Sequence, residues 1–218
     1  MLNFQFDDSI MEIGVDEAGR GPLFGRVYCA AVIMPKNSSL DFSMIKDSKK
    51  FHSKKKINEV AQFIKENAVS WAVEYADEKA IDHLNILQAT IDTMHKAILK
   101  VLEKLNITKI DNIKLCIDGT YFKPIFIMNK EENKPLYLSY ECLASGDNRN
   151  INIAAASILA KTTRDEYIEE LCNEYPYLIE KYDLQSNKGY GSKKHLEGIK
   201  KYGITEFHRK TFGICKNF

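Results

Sequence analysis

The sequence predicts an α/β protein built on a mixed sheet flanked by helices. Three observations carry that reading. Two β-rich runs, Met11–Asp16 and Val27–Met34, are joined by a link too short for a crossover, so they pair antiparallel. Later β-rich runs alternate with segments of helical period, the pattern of parallel strands with helices between them. The chain has 218 residues, 44% of them hydrophobic and 28% charged, enough to bury a large core in a single domain over 1–218.

Taken in order, the first run ends on two adjacent carboxylates, Asp16 and Glu17. A loop with three glycines, one arginine and one proline follows, Gly19-Arg20-Gly21-Pro22-Leu23-Phe24-Gly25. Pro35 closes the second run, and residues 36–53 are polar and irregular. Lys54–Glu66 places Ile57, Val60, Ala61 and Ile64 on one helical face. Val69–Tyr75 is a third strand. Asp77 opens one long helix, with Ile81, Leu84, Gln88, Ile91, Met94, Ile98, Leu102 and Leu105 recurring every three or four residues as a core-facing stripe. Ile113–Asp118 is a strand reached by a crossover from the third. Residues 120–135, with two prolines and a Lys130-Glu131-Glu132 cluster, read as loop, and Leu136–Leu143 alternates as one strand. Ser145-Gly146-Asp147 is a turn. Ile151–Cys172 is a helix whose opening turns carry Ala154, Ala155, Ala156, Ser157 and Ala160, small residues that let its backbone approach a sheet. Short helices around Pro176 and over Ser192–Tyr202, then an irregular tail, make up a helical, basic C-terminal extension from about residue 174 to 218.

The five cysteines form no C-x-x-C pair and sit mostly among apolar neighbours, which points to reduced thiols in the cytoplasm. No positively charged leader precedes an apolar stretch, and no apolar run nears 18 residues, so neither secretion nor membrane insertion is expected. From Lys188 onward eight Lys and Arg face two Glu in a chain of net charge +1. That basic end suits a polyanion, and a solvated lysine-rich surface is the plainer reading.

Asp16 and Asp118 each end a strand, and Asp147 lies in the turn between a strand and a helix, where open α/β sheets place their sites. Consecutive strand residues face opposite ways, so Asp16 and Glu17 can share one site only if the strand stops at Asp16. Turn-forming aspartates are the alternative, since loops favour Asp. As a set, carboxylates without His or Cys suit Mg²⁺ or Mn²⁺. Two such ions roughly 4 Å apart promote phosphodiester hydrolysis. A nucleotide-binding glycine loop would instead open a helix, and Gly25 leads into a strand. A binding module without catalysis would explain the basic end but not the carboxylates.

These residues resemble the type 2 ribonuclease H (ribonuclease HII) family. Asp16-Glu17-Ala18-Gly19-Arg20-Gly21-Pro22-Leu23 is similar to its signature, and Asp47-Ser48-Lys49-Lys50 to its second motif. Asp118-Gly119, then Gly146-Asp147 with Ile153–Lys161 and Thr163-Arg164-Asp165, resemble the third and fourth. Lys188-Gly189-Tyr190-Gly191-Ser192-Lys193 with His195, and His208-Arg209 with Phe212, resemble the C-terminal part. The chain departs from the usual pattern at Phe24 and Arg26, where small residues or proline are more usual. The resemblance implies a ribonuclease H-like mixed five-stranded sheet. It implies a monomeric endonuclease that uses Mg²⁺ or Mn²⁺ and cuts the RNA strand of RNA–DNA hybrids or single ribonucleotides embedded in duplex DNA. It assigns Asp16, Glu17, Asp118 and Asp147 to metal and catalysis, and Gly19-Arg20-Gly21 to the 2′-hydroxyl. Tyr190 falls on the neighbouring deoxyribose and Lys49 on phosphate. The sister family, ribonuclease HIII, lacks the Gly-Arg-Gly element and carries Glu at its last acidic position.

Overall fold

Strand β2 (Val27–Ile33) is buried along its whole length, so it must be covered on both faces. Its side chains alternate accordingly. In this computed structural model, which describes residues 2–36, 39–106, 112–129 and 134–218, Cys29, Ala31 and Ile33 face one apolar cluster and Ala30 and Val32 another. β2 pairs antiparallel with β1 (Met11–Ala18) and with β3 (Ser70–Ala76). On its other side β1 runs parallel to β4 (Ile113–Asp118), which runs parallel to β7 (Ser139–Leu143). The order β3-β2-β1-β4-β7 is the expected mixed five-stranded sheet.

Helix α1 (Lys54–Asn67) begins where Ser53 accepts a hydrogen bond from the Lys56 amide, and buries Ile57, Val60, Ala61 and Ile64 as its spacing predicts. The long helix expected after Asp77 is two helices, α2 (Glu78–Leu84) and α3 (Ile86–Lys104). Asn85 breaks them at φ 70° and caps α3 by accepting from the Gln88 amide. The three- and four-residue spacing continues across the break in sequence, which is why it reads as one helix, but Leu84, expected in the core-facing stripe, is exposed. α3 covers one face of the sheet with Met94, Ala97, Ile98, Val101 and Leu102.

Residues 120–135 are not all loop. β5 (Phe126–Asn129) and β6 (Lys134–Tyr137) pair as a separate ribbon, and the expected strand Leu136–Leu143 is split between β6 and β7 at Leu138. Pro135 is tolerated because a two-stranded ribbon leaves its other edge unpaired. The Lys130–Glu132 cluster lies outside the described residues.

Helix α4 (Ile151–Glu174) crosses the opposite face over β1 and β2. Asn150 caps it, accepting from the Asn152 and Ile153 amides and donating to Glu12. Buried Glu12 also accepts from Lys36 at 2.7 Å and from the Gln5 and Phe6 amides, pinning the N-terminal segment to β1. Beyond α4 lie α5 (Tyr177–Tyr182), α6 (Leu184–Asn187) and α7 (Lys193–Tyr202), packed on Phe24, Tyr28 and Tyr167. Arg26 is held between the rings of Tyr75 and Tyr167, 4.0 and 4.4 Å from their centroids, which accounts for a large cation at this position. All five cysteines are free. Among the described residues no helix is long and apolar enough to cross a membrane.

His195 and His208 of the C-terminal motif are buried against each other, Nε2 to Nε2 at 3.2 Å. The Thr205 amide donates to Nδ1 of His208, so His208 carries its proton on Nε2 and donates it to His195. Nδ1–H of His195 donates to the carbonyl of Tyr190 at 2.9 Å. Both rings are therefore neutral. Burial lowers both pKa values, with the neighbouring His195 adding to the effect on His208, which falls to about 3.

Two expectations follow. A Cβ on Gly14 would lie 2.1 Å from the carbonyl carbon of Asn152. Gly14→Ala should therefore cost about 2 kcal/mol or more in a denaturant titration, because helix and strand must move apart. The folded state binds fewer protons at the histidine pair than the unfolded chain, so its stability is present above pH 6.5 and falls as pH drops toward 3. Between pH 6.5 and 5 the loss from His208 should approach about 2 kcal/mol. Melting of His208→Gln over that range should be flatter than wild type.

Candidate active site

The parallel register aligns Val15 with Ile117, so Asp16 stands next to Asp118 across the β1–β4 pair. Neighbouring strands are about 4.8 Å apart, which brings two carboxylates side by side at the carboxyl ends of the strands. Asp147 arrives from a 3-10 turn over Gly146–Asn148, just after β7. Gly146 ties that turn to the sheet by donating its amide to Asp118 Oδ1 at 2.7 Å.

Glu17 departs from the sequence reading. β1 does not stop at Asp16 but continues through Glu17, paired with Cys29, to Ala18, paired with Tyr28. Glu17 thus leaves the strand on the face opposite Asp16. Both still line one cleft, because β4 ends at Asp118 and the β4 side of β1 is open beyond Val15.

That cleft, about 460 Å³, gathers Asp16, Glu17, Gly19, Arg20, Gly21, Lys49, Asp118 and Tyr190. Asp147 is buried beside it, with Lys49 Nζ 3.7 Å from its Oδ2. All nine residues singled out in the sequence are thus in one region. A cavity of about 730 Å³ lies on the far side of Asp47 and Lys50, lined by Leu2, Phe4, Phe42 and Ile45, but it lacks the carboxylate set.

The carboxylates are electrostatically unhappy. Burial, then the charges of Glu17 and Asp118, raises Asp16 well above the usual carboxylate range. Burial raises Glu17, partly opposed by Arg20, whose Nη1 lies 3.3 Å from Glu17 Oε1. Burial, Asp118 and Asp47 raise Asp147. Lys49 is desolvated, yet Asp147, Asp47, Asp16 and Asp118 outweigh that and raise it. An all-oxygen donor set under mutual repulsion fits a hard divalent cation. No three acidic, His or Cys side chains among the described residues already converge at ligand spacing. Oxygens turn instead to local donors: Asp16 Oδ1 to the Glu17 amide, Asp118 Oδ1 to Gly146 and Asp147 Oδ1 to Asn148. Side-chain rotation is needed to gather them.

The structure gives roles to motif residues for which the sequence assigned none. Ser157 of α4 supports Asp16 and bonds Ser48 at 3.0 Å, linking the Asp47–Lys50 motif to the first carboxylate. Asp165 pairs with Lys161 at 2.8 Å. Arg164 reaches backbone carbonyls, Lys188 at 2.8 Å and Arg26 at 3.4 Å. Arg209, counted with the basic C-terminal face, is fully buried behind the Gly19–Gly25 loop. Burial and Arg164 lower its pKa to about 9, so it stays charged at neutral pH. A single arginine in a lysine-rich tail carries no periodic signal that would mark it as internal.

Comparison with known proteins agrees with this geometry. A family model described as Ribonuclease HII matches residues 13–215. A ribonuclease HII of Trichormus variabilis is 41% identical over 205 residues, 93% of this chain and 81% of that protein. One of Christiangramia forsetii is 40% identical over 216 residues, 98% and 96% of the two chains. The ribonuclease H2 of Pyrococcus horikoshii superposes with a TM-score of 0.70 at 22% identity, covering 95% of this chain and 96% of that one. Bst-RNase HIII in complex with Mn²⁺ gives 0.73 at 19%, covering 95% and 68%. The last two likenesses speak for the fold alone. The family match spans β1 to the C-terminal segment and takes in every residue of the cleft, and the chain belongs to the ribonuclease HII family, a family of metal-dependent nucleases.

Proposed function

We propose that this protein cuts the RNA strand of RNA–DNA hybrids, and cuts at single ribonucleotides embedded in duplex DNA, leaving 5′-phosphate and 3′-hydroxyl ends. The observation that carries this reading is the meeting of the carboxylates with the Gly19–Gly21 loop and Tyr190 in one cleft. Asp16, Glu17, Asp118 and Asp147 would hold Mg²⁺ or Mn²⁺. Bound there, the ions supply activation of water and stabilisation of charge on the leaving oxygen.

The remaining residues bind and select. A Cβ on Gly21 would stand 3.6 Å from Tyr190 Cε1, so the half-exposed ring packs directly on the loop. The 2′-hydroxyl separates RNA from DNA, and glycine lets backbone amides approach it. The Tyr190 ring gives the neighbouring sugar a flat face that suits a deoxyribose. Lys49, 83% exposed at its side chain, and the lysines of the C-terminal extension meet phosphates and make affinity salt-dependent. The Gly-Arg-Gly element and the aspartate at 147 favour type 2 over ribonuclease HIII, which the fold does not separate. The setting is the cytoplasm, and the task is removal of ribonucleotides and RNA primers from DNA by a monomer.

With Mg²⁺ or Mn²⁺ and an end-labelled duplex carrying one ribonucleotide, a nick is expected on its 5′ side. Asp118→Asn should lower cleavage by more than about a hundredfold, beyond what an outer partner of a metal costs, while duplex binding persists. Near wild-type cutting by that variant would remove Asp118 from the metal site. Arg20→Ala should weaken discrimination between ribose and deoxyribose by about tenfold and leave Mn²⁺ affinity, read by titration calorimetry, nearly unchanged. A loss of Mn²⁺ affinity matching that of Asp16→Ala would merge sugar reading with metal binding.

A further inference from the structure

Arg209 has no solvent exposure, and its guanidinium is spent on backbone carbonyls. Nη2 donates to Gly19 O at 2.6 Å, and Nη1 to Arg20 O at 3.0 Å and Pro22 O at 2.9 Å. Nε donates to Gly25 O at 2.8 Å, and the amide of Arg209 to Leu23 O at 2.9 Å. Five of the seven carbonyls from Gly19 to Gly25 therefore turn to one residue. The loop's amides are distributed differently. Leu23 donates to Gly189 and Gly25 to Phe207, whereas those of Arg20 and Gly21 meet no protein acceptor among the described residues. The ring of Phe212, 5.1 Å from Arg209 Cζ, backs the guanidinium.

A planar fork with five donors can hold several carbonyls at fixed angles, and an ammonium cannot. Most of the carbonyls are committed to Arg209, and the amides of Arg20 and Gly21 are among those that meet no protein acceptor among the described residues. A buried positive charge behind them strengthens their pull on an oxygen atom in front. Among the described residues no other side chain of the cleft holds the loop so completely: of the carbonyls from Gly19 to Gly25, Arg164 reaches that of Phe24 alone, at 3.5 Å.

We propose that Arg209 is the positioning residue of the sugar-reading loop, holding its carbonyls inward so that the amides of Arg20 and Gly21 are presented to the ribose hydroxyl. This rests on the assignment of that loop to the 2′-hydroxyl. Arg209 does not touch substrate; its effect passes through the loop.

The test compares wild type with Arg209→Lys and Arg209→Met. Each is checked for folding by circular dichroism and titrated by fluorescence anisotropy with two duplexes, one with a single ribonucleotide and one all-deoxy, with Ca²⁺ replacing Mg²⁺. Wild type should prefer the ribonucleotide duplex. Arg209→Lys, which keeps the charge, should lose at least tenfold of that preference while its affinity for the all-deoxy duplex and for Mn²⁺ stays within threefold. A preference retained in Arg209→Lys overturns the proposal. Equal weakening on both duplexes overturns it too, since that marks a phosphate or packing effect. Loss of folding in both variants also overturns it, by making Arg209 a residue of the core. If wild type itself shows no preference, the assignment of the loop fails, a result distinct from the other three.

Discussion

The close passage of α4 over β1 is the constraint on which the site depends. Gly14 and Asn152 lie so near that no side chain fits between them, and Ala154, Ala155 and Ala156 keep the next turn equally thin. Two residues beyond Gly14 on the same face stands Asp16, and one turn beyond the alanines' start stands Ser157, which supports it. The distance between helix and strand thus sets the distance between a carboxylate and its hydroxyl partner. The cap of the same helix, Asn150, is bonded to Glu12 on the same strand, so the start of α4 cannot slide along β1.

On this rigid base the cleft stores electrostatic tension. Asp16 is raised chiefly by burial and then by Glu17 and Asp118, and Glu17 by burial and Asp118, with Arg20 and Lys49 as partial counterweights to Glu17. A core built for stability alone would not put these groups together, since each ionised carboxylate loses solvation there and meets like charge. A hard cation held there, as proposed, would relieve repulsion that the fold has already accepted. Selectivity is separate in chemistry but adjacent in space: Arg20 touches Glu17 at 3.3 Å and belongs to the loop that meets Tyr190.

Much of this was legible in the residues. Strand–turn–strand at the start, the apolar faces of α1 and α3, and the small-residue opening of α4 follow from local pattern, and local pattern is what those elements obey. The carboxylates were legible because each stands where a strand gives way to a loop. The failures have physical causes. Asn85 breaks a helix by adopting a positive φ, while the three- and four-residue spacing of the sequence, Leu84 included, continues across it although Leu84 is exposed. β5 and β6 hide behind prolines because a narrow ribbon tolerates what a central strand does not. Glu17 stays in its strand because pairing to β2 outlasts pairing to β4. Arg209 was visible as part of a motif and of the basic end, but its partners are carbonyls far away in sequence, and composition cannot see those.

The bond from Arg209 to Arg20 spans 189 positions. A contact of that separation closes nearly the whole chain into one loop, an entropic cost that is met only after nearer contacts have formed. The sheet and α4 can assemble from residues made early, and with them the carboxylates. The loop beside them cannot lock until the segment around 209 has left the ribosome and docked. A growing chain would therefore own its acidic cluster before the loop held by Arg209 is fixed, and the order of synthesis places the loop proposed to read the sugar last.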